Sequence, residues 1–538
     1  MIETASMRTR DGVRLDADIY RPAAPGIYPV LLMRQPYGRA IASTICYAHP
    51  TWYAARGYIV VIQDVRGRGS SEGTFRLFRD DARDGYDAID WASQLPGSSG
   101  AVGMYGFSYQ GTNQLLAAAL APPALKALAP AMIGWNLYRD WAYENGAFML
   151  RPGLGWAIQL AAESARLAGD DEAYRDLCAA AGALPLADLV PARPELMERY
   201  RRYTHYFDWL DEPEDAPYWS EISPSTFTPE LAAHGPPMLF VGGWYDTHLR
   251  GTLDAYHALA PAVPAQLVVG PWTHAPWVRR VGALDFGTEA IGEIDQLQVR
   301  WFDRWLKDEE GDADAPVRLF DLGTREWADL PAWPALTQRF ALASGGRAAL
   351  DERDGVLQFD PPPRVIVDYV VHDPWRPAPV HGGAYGSPPG PIERAAVEGR
   401  PDVLTFTTEP LSEPLALAGD VVADLHVSSS AADFDLACVL SRVFPDGRSF
   451  ELASGYRRVC TGMARERIAV PMRATCATLD PGDALRLSIS GAAFPAYPVN
   501  PGSGADPTAA PRSSWQIITL GVHCGGSDGS ALVVSRWS

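Results

Sequence analysis

A chain of 538 residues is too long for one compact domain, and two or three are expected. Hydrophobic residues at 47% and charged residues at 21% give an ordinary globular composition with a large core. The formal net charge of −19 argues against a nucleic-acid partner and reads as a solubility feature.

The N-terminal MIETASMRTRDGVRL is polar and lacks the apolar stretch of a secretory signal. No window of 18 apolar residues suggests a membrane span; stretch 115–133 carries Lys126 and three prolines. The expectation is a cytoplasmic protein with no membrane partner. Six scattered cysteines (Cys46, Cys178, Cys438, Cys460, Cys476 and Cys524) show no CxxC and no metal-site spacing. They read as mostly buried free thiols, with a disulfide or two as the rival reading.

In chain order, residues 13–20 alternate apolar and polar side chains as a half-buried strand does. Runs 30–33 and 58–63 are short and apolar, as buried strands of a largely parallel sheet are, and each ends in a polar loop. Residues 81–95 carry a helical pattern, with Ala82, Tyr86, Ile89 and Trp91 expected inside and Asp81, Asp84 and Asp87 facing water or capping the first turn. AVGMYGFSYQG then reads as a strand ending in a serine between glycines, and 112–121 continues as a helix.

Residues 131–235 are dense in aromatics between Ala- and Leu-rich helical segments such as 157–168 and 171–181. This is the pattern of a helical cap over a sheet edge. Strands resume at 237–243 and 265–270, ending at WYDTH and PWTH, and a helix is expected over 289–307. Past residue 335 the runs 364–370, 402–407, 421–429 and 484–490 are short, β-prone and punctuated by Gly, Pro and Asp, as in a sandwich or jelly roll. The expected division is a core in two parts (1–130 and 236–334), a cap (131–235) and an all-β domain (335–538).

Three strand ends deliver Ser108, Asp246 and His274, the chain order of α/β-hydrolase triads. A serine hydroxyl needs a base within hydrogen-bond reach, and that base needs a carboxylate to hold its tautomer. In GFSYQG the second glycine stands one place later than in GxSxG. Asp254 and Asp285 are local rivals for the acid, and His248 competes as base, with a pocket role as its other reading. The backbone N–H of Tyr109, next after the nucleophile, is a candidate oxyanion donor. Tyr37, in RQPYG, stays open between a packed loop residue and a second donor. Trp135, Trp141, Trp244 and His248 are candidate pocket residues.

No HExxH occurs, and Asp433 and Asp435 read as solvated or structurally bonded, so no metal is expected. Gly67, Gly69 and Gly73 lack a dinucleotide-binding arrangement, GRGSSEG reads as a structural loop, and no cofactor is expected.

These motifs together resemble the CocE/NonD family of serine hydrolases, which spans cocaine esterase, α-amino-acid ester hydrolases and glutaryl-7-ACA acylases and is related to X-Pro dipeptidyl-peptidases. The matching segments are RQPYG (34–38), QDVRGRGSSEG (63–73), GYDAIDW (85–91), VGMYGFSYQG (102–111), GGWYD (242–246) and GPWTH (270–274). Later ones are DVLTFTTEPLSEPL (402–415), SSSAADFD (428–435), PDGR (445–448) and NPGSG (500–504). The resemblance implies an α/β-hydrolase core with an inserted helical cap and a C-terminal jelly roll. It also implies a Ser108–Asp246–His274 triad, with Tyr37 and the Tyr109 amide as oxyanion donors. Ala437 stands where a lysine is often found. Asp208, Glu212 and Glu214 are cap acids that match an amine-binding cluster by location alone.

The expected activity is hydrolysis of small acyl esters or amides through an acyl-enzyme. The alternatives are an X-Pro dipeptidyl-type exopeptidase and a catalytically silent binding protein. One sequence leaves open whether copies associate into a homo-oligomer.

Overall fold

The computed structural model describes residues 2–42, 46–309, 315–460 and 465–537. Its first sheet has ten strands. Strands β1 (Ile2–Arg8), β2 (Arg14–Tyr20), β3 (Tyr28–Gln35), β4 (Ile59–Asp64), β5 (Ser98–Phe107) and β6 (Leu125–Ala131) lie in the order β1-β2-β4-β3-β5-β6. The sheet continues through Met238–Tyr245, Ala265–Thr273, Val317–Phe320 and Trp327–Leu330. From β4 to Val317–Phe320 every pairing is parallel; β1, β2 and the last strand run antiparallel to their neighbours.

Helices cover both faces, which is why Val30–Met33 and Ile59–Ile62 are continuous apolar runs, fully buried. β2 is more enclosed than its alternation suggests. Asp16 is buried in it and accepts from Ser6 and Ser70, so the polar side of the strand is covered too.

Two helices follow the expected segments but differ in detail. Helix Asp81–Ser93 turns Asp81, Asp84, Gly85, Ala88, Ile89 and Ala92 inward, while Ala82, Tyr86 and Trp91 are only partly covered. Buried acids are tolerable there because each meets a guanidinium: Arg34 is 3.0 Å from Asp81, and Arg66 is 2.7 Å from Asp84. The 289–307 segment is split. A 3₁₀ turn, Thr288–Ile291, precedes an α-helix, Ile294–Leu306, and the break falls at Gly292 and Glu293, both with positive φ.

Between β6 and Met238–Tyr245 lies a helical cap containing Leu150–Leu167, Asp171–Gly182, Tyr206–Asp211 and Pro217–Ile222. Phe148, Leu154, Ala157, Ile158, Trp209 and Trp219 of the cap pack into one core with Val65, Leu77, Phe78, Tyr109 and Leu116 beneath it. The C-terminal part is a jelly-roll-type β domain. Its strands between Leu336 and Arg536 form an eleven-stranded, almost wholly antiparallel sheet among the described residues, in which the long strand Glu466–Leu479 branches off the main strand order by pairing with Leu415–Ser429. Asp435 is buried in this domain and accepts from Arg458, Tyr456 and Asn500, while Asp433 accepts from Asn500. Both acids are therefore structural. All six cysteines are free, but Cys178 and Cys460 are exposed.

Candidate active site

β5, Met238–Tyr245 and Ala265–Thr273 end on the same edge of the sheet, separated by one strand or none. Ligand sites of parallel α/β sheets form at that edge. Ser108 follows β5 directly and caps helix Tyr109–Ala118 with φ 60° and ψ −125°. This backbone region is costly for any residue with a Cβ, and it lifts the side chain out of the turn. The turn is tight enough that a Cβ on Gly106 would lie 2.5 Å from Gln110 Cβ. A Cβ on Gly111 would lie 2.5 Å from Ile133 Cγ2 and 2.9 Å from the Ala131 carbonyl oxygen. The displaced second glycine thus lets the helix close on the end of β6.

His274 Nε2 is 2.9 Å from Ser108 Oγ, and His274 Nδ1 is 2.6 Å from Asp246 Oδ1. The acceptor-only carboxylate assigns the proton to Nδ1, which leaves Nε2 to accept from the serine hydroxyl. Asp246 is wholly buried. Burial alone pushes its carboxyl up, but the adjacent His274 ring and its hydrogen bond hold it below the ordinary carboxylate range. The local rivals do not reach this chain of bonds. Asp285 pairs with Arg279 at 2.6 Å, and Asp254 is exposed on helix Leu249–Leu259. His248 stands edge-on to His274, with ring centres 5.0 Å apart, and stacks on Trp141 at 3.9 Å. Burial holds its imidazole down to about 3, so it stays neutral.

The Tyr109 phenol donates to buried Asp81, which commits that side chain to the Arg34 pair. Its main-chain N–H occupies the first position of the helix, where N–H groups have no partner within the helix. The Tyr37 hydroxyl accepts from Trp156 Nε1 at 3.0 Å, which leaves its own O–H to donate. Burial raises that phenol to about 12, so it remains protonated. Its loop is pinned by Gln35, which accepts from the Tyr37 N–H and donates to Asp64.

The four pocket candidates divide. His248 stands beside His274 and stacks on Trp141, on which Phe78 and Trp156 pack in turn. Trp135 and Trp244 belong to the core packed against the sheet. The Trp244 indole N–H needs a buried acceptor and finds it in the Phe320 carbonyl at 2.8 Å, away from the triad. Of the cap acids, Glu214 pairs with Arg139 at 2.6 Å and Asp208 lines a separate cleft. No group of three or more metal-ligating side chains occurs among the described residues.

The sequence reading missed Arg473, on strand Glu466–Leu479 of the β domain. Its guanidinium reaches the main-chain carbonyls of Asp246 (2.6 Å) and Thr247 (3.2 Å) and donates to the Tyr385 hydroxyl. Tyr385 and Tyr497 in turn donate to buried Glu144 of the cap. One cation therefore ties the loop at Asp246 to both other parts of the chain. Nothing local in PMRATC signals this.

A family model described as X-Pro dipeptidyl-peptidase (S15 family) matches residues 11–276. A second, described as X-Pro dipeptidyl-peptidase C-terminal non-catalytic domain, matches residues 310–532. The cocaine esterase of a Rhodococcus species is 34% identical over 542 residues, spanning 92% of this chain and 91% of that protein. The chain belongs to the CocE/NonD family of serine hydrolases. As a CocE/NonD enzyme it shares its fold with an aminopeptidase from a marine-sediment thaumarchaeote (TM-score 0.83, 24% identity, 100% and 96% of the two chains). An α-amino acid ester hydrolase superposes similarly (TM-score 0.80, 24% identity, 100% and 97%).

Proposed function

We propose that this enzyme hydrolyses small acyl esters or amides through an acyl-enzyme on Ser108. The observation that carries the reading is the unbroken chain Ser108 Oγ–His274–Asp246 at 2.9 and 2.6 Å. His274 Nε2 takes the Ser108 proton as Oγ attacks the substrate carbonyl. Asp246 holds the imidazolium that forms. The Tyr37 hydroxyl and the Tyr109 main-chain N–H donate to the oxyanion, a role in which a phenol kept neutral by burial is well suited. Collapse expels the alcohol or amine, which leaves with the proton from His274. Water then repeats the sequence and releases the acid. Trp141 and His248, with Trp156 behind them, form a mainly apolar wall suited to an acyl group.

The exopeptidase alternative requires a carboxylate that captures the substrate α-amine beside the scissile bond. The cap acids do not support it, since Glu214 is engaged by Arg139, Asp208 lines another cleft and Glu212 is exposed. Turnover of p-nitrophenyl acetate and butyrate, beside Gly-Pro-p-nitroanilide, separates the two. Fast ester cleavage with no release from the proline substrate is expected, and the reverse would overturn the proposal. Ser108→Ala should abolish the acylation burst; a retained burst would remove Ser108 from the mechanism.

A further inference from the structure

The loop between β4 and helix Asp81–Ser93 contributes Arg68, which the mechanism above does not use. Arg68 is 1% exposed. Its guanidinium carbon lies over the Phe75 ring, 3.9 Å from the ring centre, and Nη1 donates to the Leu160 carbonyl at 3.3 Å. Nε is buried with no hydrogen-bond partner in the protein. No carboxylate among the described residues pairs with Arg68. A buried cation is normally neutralised by a nearby acid, because removing it from water is expensive. Burial accordingly lowers the Arg68 guanidinium to about 10.

Arg68 lines a cleft of about 520 Å³ between this loop and the cap, which is room for a small molecule. Ser108, Asp246, His274 and Tyr37 do not line it. The other arginines on its wall are engaged: Arg76 by Asp80, Arg79 by Glu221 at 3.3 Å and Arg202 by Asp170 at 2.7 Å. His205, also on the wall, has its buried Nε2 without a partner. Asp208 adds one carboxylate to the lining.

We propose that this cleft binds a small organic carboxylate at the guanidinium of Arg68, separately from the Ser108 site. A guanidinium edge matches a carboxylate with two parallel hydrogen bonds. Phe75 covers one face of the guanidinium, so the ligand approaches in its plane. A single unpaired cation with Asp208 nearby suits a monoanion and disfavours a phosphate dianion. Phe75 and Tyr218 supply apolar wall for the rest of the molecule. The site also abuts the proposed oxyanion donor: His205 packs on Trp156 at 5.4 Å, and Trp156 donates to Tyr37.

The test is calorimetric titration of Ser108→Ala protein with butyrate and benzoate, with butyramide, benzamide and inorganic phosphate as controls. Saturable binding of the carboxylates, and not of the amides or phosphate, is expected. Arg68→Lys keeps the charge but loses the fork and should weaken binding by about tenfold. Thr204→Tyr fills the cleft with Arg68 untouched and should abolish binding, which guards against a folding defect at the buried arginine. Repeating the titration on wild-type protein whose Ser108 carries a small phosphonyl group locates the ligand. Unchanged affinity is expected if the cleft is separate, whereas loss would mean that the carboxylate is a product in the Ser108 site. The proposal is overturned by that loss, by the absence of saturable carboxylate binding, by amides or phosphate binding equally well, or by binding that survives both substitutions. None of these outcomes depends on the enzyme's turnover.

Discussion

Replacing Arg473 by methionine tests whether the β domain takes part in the chemistry or only stands beside it. The substitution keeps much of the side-chain volume and removes the guanidinium. Two main-chain carbonyls then lose a buried donor, Thr247 outright and Asp246 down to a 3.3 Å bond from the Leu249 N–H, and Glu144 loses one of two guanidinium groups 3.9 Å away, Arg250 being the other. Removing one member of a buried charge pair costs about 3–5 kcal/mol, and each buried acceptor left unpaired costs about 1–3 kcal/mol. Some of those carbonyl losses overlap with the charge effect, so a total near 4 kcal/mol is expected. The catalytic effect is separate. The 2.6 Å bond from His274 to Asp246 depends on where the Asp246 backbone is held. A displacement of about 1 Å there should lower kcat by about a hundredfold, roughly 2.7 kcal/mol, with KM little changed. Steady-state kinetics on p-nitrophenyl butyrate and urea unfolding of the same preparation measure both quantities. The companion variant Arg473→Met with Glu144→Gln should recover part of the stability but not kcat. A loss of stability with kcat intact would show that the β domain acts as packing alone, and the reasoning about the acid loop would fail.

Three further outcomes follow from the site. Tyr37→Phe should cut kcat by about 10²–10³ with KM nearly unchanged, as removal of one oxyanion donor does, and an unaltered kcat would exclude the phenol from that role. His248 stays neutral in the fold to about pH 3 but takes up a proton near 6.5 once unfolded, so its contribution to stability is complete above 6.5 and declines as pH falls toward 3. Between pH 6.5 and 5 this should cost about 2 kcal/mol in urea unfolding, and His248→Phe should flatten the slope by that amount; an unchanged slope would refute the buried-neutral assignment. Gly111→Ala places a methyl 2.5 Å from Ile133 Cγ2 and should destabilise the protein by about 1–3 kcal/mol, read from its thermal midpoint. A midpoint equal to wild type would mean that the contact between helix and β6 is not tight.

How much of this was legible in the sequence depended on whether the signal was local. The strand ends before Ser108, Asp246 and His274 are short apolar runs followed by polar loops, and such runs are specified by burial on both sides. The inward face of Asp81–Ser93 was misread because two aspartates look solvent-facing until Arg34 and Arg66, 47 and 18 residues away along the chain, are brought against them. Trp244 looked like a pocket wall by its place before Asp246, whereas strand geometry and the Phe320 carbonyl decide where its indole goes. Trp156 stood among many aromatics, and only the fold selects it as the donor to Tyr37. Arg473 was invisible for the same reason, since the carbonyls it holds lie 227 and 226 residues away and Tyr385 lies 88 away.

The backbone at Ser108 carries a further consequence for laboratory evolution. Its φ of 60° and ψ of −125° are comfortable only for a residue without a Cβ. Ser108→Gly should therefore make the protein more heat-resistant, by about 1 kcal/mol, while removing the proposed nucleophile. A library screened for thermal survival alone would accumulate glycine at this position. Any campaign to harden this enzyme must score turnover alongside survival, because the two selections pull residue 108 in opposite directions.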